Sequence, residues 1–94
     1  MTDPVPALLR ALRRSAAAHD CAVELRHFGE TAWSTATFTG ARHAVHAAAD
    51  PAALRRWLAT LPEADFPLHG WFVASCAAEV RGGKATIELL VLEA

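Results

Sequence analysis

The 94-residue chain has no tyrosine, one methionine, one lysine (Lys84) and two cysteines, Cys21 and Cys76. Two cysteines exclude the disulfide framework on which many small secreted domains depend. No apolar run approaches the ~20 residues that cross a bilayer as a helix. The first residues also lack the apolar stretch of roughly 7–15 residues found in a secretory leader, and Asp3 and two prolines stand there instead. Residues 1–20 are arginine-rich and amphipathic, like an organelle presequence, but Asp3 and their fit to an ordinary first helix oppose that reading. The expectation is a soluble cytoplasmic protein with no membrane insertion.

A basic excess is missing too. Net charge is −1, so a generic polyanion binder is not expected and nucleic acid is a poor candidate partner. The nine basic residues are arginine apart from Lys84. With abundant alanine and no tyrosine, that choice reads as a GC-rich, bacterial-like coding bias. The arginines are laid out unevenly, however. Arg10, Arg13, Arg14, Arg55 and Arg56 fall in two acid-free segments, whereas Glu24, Glu79, Glu88 and Glu93 fall elsewhere. A protein partner at such an arginine-rich helix face is one expectation.

What the chain has in excess is apolar residues, 53% against the usual ~45–50%. A chain this short buries only about 60–65% of its unfolded surface, so the surplus points to a contact surface. Length implies a single domain spanning 1–94.

Asp3-Pro4 and Asp50-Pro51 each offer a capping oxygen followed by a proline suited to the first helical position. Behind the first, Val5, Leu8, Leu9, Leu12 and Ala16 keep helical spacing; behind the second, Leu54, Trp57, Leu58 and Leu61 do so, up to Pro62. CAVELRHF (21–28) alternates as a half-buried strand does. Gly29-Glu30 then reads as a turn and WSTATFT (33–39) as a strand. Residues 41–46 read as extended, with Gly40 a candidate bulge. After a loop at 62–70, residues 71–80 and 85–93 read as strands joined by a Gly-Gly hairpin in RGGK (81–84).

The predicted fold is therefore α+β: an αββαββ two-layer sandwich, a four-stranded antiparallel sheet with two helices on one face. An αββ pseudo-repeat, 3–47 and 50–94, is compatible with that order.

Chemistry-bearing patterns are sparse. RHAVH (42–46) would place His43 and His46 together on a helix but on opposite faces of a strand. The extended reading splits them, no CxxC or HExxH spacing is present, and the expectation is no metal and no cofactor. Cys76, in VASCAA, reads as a small hydrophobe in a central strand, and no catalytic residue is assigned. His69, Trp71 and Phe72 cluster around Gly70 and are the candidate ligand-binding residues.

Strict alternation puts Val73, Ser75 and Ala77 on one face of the third strand, and Phe72, Ala74, Cys76, Ala78 and Val80 on the other. It leaves Phe72, Leu90 and Leu92 for the face that the helices do not cover, as an apolar interface for a homodimer. The expected function is a non-enzymatic, self-associating interaction or scaffolding module. The alternatives are a small-molecule-binding domain or small enzyme with a pocket near His69–Phe72, and a nucleic-acid-binding module using the helix arginines.

Overall fold

A computed structural model describes residues 3–94. The elements follow as α1 (Val5–Ala18), β1 (Glu24–Ser34), β2 (Thr39–Ala48), α2 (Pro51–Leu58), a 3₁₀ turn (Leu61–Glu63), β3 (Trp71–Arg81) and β4 (Lys84–Glu93). The four strands form one antiparallel sheet in the order β1-β2-β4-β3. This is the expected α+β sandwich, and each αββ half puts its second strand in the centre and its first at an edge. Among the described residues no helix is long and apolar enough to cross a membrane.

Both proline-led helices form. Asp50 caps α2 by accepting the Ala53 N–H at 3.1 Å, and Asp3 accepts the Val5 N–H at 3.0 Å. α2 stops earlier than the apolar stripe suggests. It ends at Leu58, and Pro62 lies inside the short 3₁₀ turn that follows. The helices are tied together where the Trp57 indole donates to Ser15 Oγ at 3.0 Å. Leu8, Leu12, Leu54 and Trp57 are fully buried against Val45, Ile87, Leu89 and Val91 of the central strands.

Three strand assignments change. Gly29-Glu30 is no turn: β1 runs on to Ser34, and the chain reverses at Thr35–Phe38, where the Thr35 N–H donates to the Phe38 carbonyl at 2.8 Å. Thr35 Oγ1 also accepts the N–H groups of Thr37 and Phe38, so WSTATFT holds the hairpin turn rather than a strand. Cys76 lies on the edge strand β3, not in the centre. Gly40 is not a bulge, because pairing runs through it without a break. It marks a close approach instead: a Cβ there would collide with the Val91 carbonyl and lie 2.8 Å from Leu92 Cα.

The bulges are elsewhere, one on each edge strand. Pairing slips between His27 and Gly29 in β1, leaving Phe28 extra, and between Val73 and Ser75 in β3, leaving Ala74 extra. An extra residue reverses the facing of everything beyond it. Strict alternation is thereby corrected in β3: Cys76, Ala78 and Val80 join Val73 on the helix side, while Ser75, Ala77 and Glu79 join Phe72 on the open side. The Gly-Gly hairpin forms as expected. Arg81 pairs with Lys84 across Gly82 (φ 58°), and the Gly83 carbonyl accepts the Ala49 N–H at 3.0 Å, docking the tip beside the start of α2.

Candidate functional site

Among the described residues, three of the four large apolar side chains left substantially exposed lie on the open face: Phe28, Phe38 and Phe72. That face can be read as rows of paired residues crossing the four strands. At one end Trp33, Gly40, Leu92 and Phe72 form a row, followed by Thr31, Arg42, Leu90 and Ser75. Next comes Gly29, Ala44, Glu88 and Ala77. Toward the other end stand Arg26, His46, Thr86 and Glu79, and finally Glu24, Ala48, Lys84 and Arg81. One end of the face is thus apolar and the other ionic with both signs present.

The apolar end departs from the sequence reading in one respect. Leu90 and Leu92 do stand on this face, but they are only 8% and 3% exposed, so they do not form an open patch. Phe38 reaches from the β1–β2 turn across β4 to meet the Phe72 ring edge-on, with centroids 5.8 Å apart, and Leu92 lies beneath that pair. Gly40 lets Leu92 pack close against the backbone of β2. What solvent meets is an aromatic rim over a leucine floor, with Phe38 42% and Phe72 36% exposed. In the middle, Arg42 pairs with Glu88 at 3.7 Å, and Phe28 stacks on His46 with centroids 3.8 Å apart. A shallow concavity of about 580 Å³ opens at the ionic end, between residues that include Glu24, Arg26, His46 and Lys84.

The candidate ligand residues His69, Trp71 and Phe72 are not brought together. Trp71 packs against the helix-side core, Phe72 stands on the open face, and His69 is exposed in the turn that ends at Gly70 (φ 84°). The concavity described above lies at the opposite end of the sheet. Arg10, Arg13, Arg14, Arg55 and Arg56 are exposed on the helix layer, as their spacing implies.

The histidines divide as the extended reading requires: His43 is buried on the helix side and His46 is exposed on the open side. His43 nevertheless has chemical company that its spacing in the chain does not suggest. On the helix side Glu30 is its direct cross-strand neighbour, and His27, paired with Val45, is its diagonal neighbour. His27 Nε2 lies 3.0 Å from His43 Nδ1, and Glu30 Oε1 lies 3.6 Å from that same nitrogen. The bulge at Phe28 makes this possible, since His27 and Glu30, an odd number apart, would otherwise face opposite ways. Glycine beside an alternating run was the available signal, and it marks the bulge rather than a turn.

Burial holds the His43 imidazole below its ordinary range, against the opposing pull of the Glu30 carboxylate; His27 reinforces the lowering and Asp3 opposes it. Burial also pushes the Cys76 thiol up to about 11, so it is protonated at neutral pH and a poor nucleophile. Cys21 is raised by burial as well, with Arg56 opposing and Asp50 reinforcing. No protein-family model matches this chain, and no curated protein or solved structure matches it either.

Proposed function

We propose that the chain is a self-associating interaction module that pairs with a second copy through the open face of its sheet. The observation that carries this reading is the self-complementarity of the rows. A two-fold axis along the strands, midway between β2 and β4, lays β1 of one copy over β3 of the other. Arg26 then meets the second copy's counterpart of Glu79, and Glu24 meets the counterpart of Arg81, because each pair occupies opposite ends of one row. By the same operation Trp33 meets the counterpart of Phe72, so both the apolar and the ionic ends match themselves.

Size is consistent with such a contact. Four strands spaced ~4.8 Å apart and ten residues long present a face of very roughly 600 Å² in projection. A stable interface buries about 800 Å² of accessible surface per partner, so most of the face takes part. Two sheets stacked at the usual ~30° twist bring aligned strands together in this way. Isologous contacts of this kind are the commonest route to a dimer. The half-exposed phenylalanines supply apolar area, and the charged rows fix the orientation.

Sedimentation equilibrium at micromolar concentration tests the reading. The expected mass is twice that of the 10.1 kDa chain, falling to the single-chain value in Leu90→Glu with secondary structure retained. A wild-type chain that stays monomeric throughout that range contradicts it.

A further inference from the structure

We propose that His27, Glu30 and His43 form a binding site for one first-row divalent transition ion, an inference independent of self-association. Along the chain no metal-binding pattern is present, and the sequence predicts no metal. The site is assembled by the β1–β2 pairing and the Phe28 bulge, which bring two imidazoles and a carboxylate to the helix side of one hairpin. Their three candidate ligand atoms lie within 4.8 Å of one another.

The spacing suits an ion. Two nitrogens each about 2.1 Å from a metal are ~3.0 Å apart when they bind at a right angle and ~3.4 Å apart in a tetrahedron. His27 Nε2 and His43 Nδ1 stand 3.0 Å apart, the right-angle value. Glu30 Oε1, at 3.6 Å from His43 Nδ1, must come somewhat closer, and its side chain is 54% exposed, so a change of rotamer brings it in without disturbing the core.

The electrostatics suit one as well. Among the described residues neither lysine nor arginine makes a salt bridge to Glu30, whose one ionic contact is His43 itself. Electron-pair donors therefore converge, with two imidazole nitrogens and a carboxylate oxygen facing one another. Both rings can bind as neutral tautomers. His27 would keep its hydrogen on Nδ1 and His43 on Nε2, so the hydrogen now shared between the rings moves to the far nitrogen of its own ring and none need leave the protein. Two imidazoles and one carboxylate favour zinc, nickel, cobalt or ferrous ions over magnesium or calcium. With three protein ligands, water holds the remaining positions.

Calorimetric titration with Zn²⁺ and Ni²⁺, and visible absorption with Co²⁺, read the site directly. One ion per chain is expected, with no comparable response to Mg²⁺. His27→Gln and Glu30→Gln each sit at less buried positions than His43, and each should weaken binding by more than about tenfold, the loss seen even for outer-shell partners. His19→Gln and His69→Gln should leave it unchanged. Histidine ring ¹⁵N shifts should change at His27 Nε2 and His43 Nδ1. Absence of stoichiometric binding to the folded protein overturns the proposal, as does binding that survives His27→Gln and Glu30→Gln together or shifts confined to His19, His46 or His69.

Discussion

The two faces of this sheet are buried by different means. On the helix side Ala85, Ile87, Leu89 and Val91 of β4 are 5% exposed or less beneath α1 and α2. On the open side Leu90 and Leu92 of the same strand are nearly as well covered, at 8% and 3% exposed, though no helix lies there, and the Phe38–Phe72 pair stands in the row of Leu92. The helix layer buries the central strands beneath it and shows arginines to solvent. On the other face the phenylalanines beside Leu92 remain exposed at the rim. Burial of a floor and completion of a surface are separate matters, and the open side has the first without the second.

The sharpest way to break that comparison is to truncate adjacent leucines on opposite faces. Leu89→Ala opens a cavity in a layer packed on all sides and should cost about 2–5 kcal/mol. Leu90→Ala should cost less in the isolated chain and, if the proposed second copy packs on the open face, show an added loss that grows with protein concentration. Chemical denaturation at two concentrations checks both. Equal, concentration-independent losses would show that the faces do not differ.

A smaller effect is expected at the seam of the apolar end. Gly40→Ala must push β2 away from Val91 and Leu92, at about 1–3 kcal/mol, the usual cost of overpacking. Thermal denaturation reads it, and a neutral outcome would mean that the close approach is not required.

The helix side also carries a proton-sensitive element. The groups acting on His43 are Glu30 and His27 from β1 and Asp3 from the segment before α1, while its β4 neighbour Leu89 does not titrate. Burial lowers the folded-state pKa below the ordinary value of 6.5, so the unfolded chain takes up the proton first. The stability contributed by neutral His43 is therefore full above that value and is lost as pH falls through the lowered folded-state pKa. Denaturation midpoints should fall as the buffer is taken from neutral to mildly acid, and less steeply in His43→Phe. A flat wild-type profile, or an unchanged slope in the variant, would contradict this.

The smallest effects belong to the outer helix layer. Arg10→Glu, Arg13→Glu and Arg55→Glu should each change stability by less than about 0.5 kcal/mol, as exposed positions do. A larger loss, seen in the same denaturation series, would place that layer inside a contact.

Element order was legible because its signals are local: two Asp-Pro caps, the helical spacing of leucines, and two glycines at a hairpin. The splitting of His43 from His46 was legible for the same reason. Facing on the edge strands was not. A bulge shifts the register by one residue, and at Ala74 nothing in VASCAA distinguishes an extra residue from a paired one. At Phe28 the neighbouring glycine is a signal, but one shared by turns and bulges. The consequence is largest for the histidine cluster, since the company of His43 depends wholly on that extra residue. The Phe38–Phe72 contact escaped for another reason: Phe38 is a turn residue whose reach across β4 depends on how the hairpin curls.

The measurement closest to the central claim is a charge exchange across the proposed two-fold. At one micromolar-range concentration, sedimentation equilibrium would compare wild type, Arg26→Glu, Glu79→Arg and the double variant. Each single change sets like charges against one another at symmetric positions, and each should shift the equilibrium toward monomer. The double variant restores opposite charges in reversed order and should recover the dimer. Single variants that dimerise like wild type, or a double variant no better than either single one, would contradict pairing through the open face.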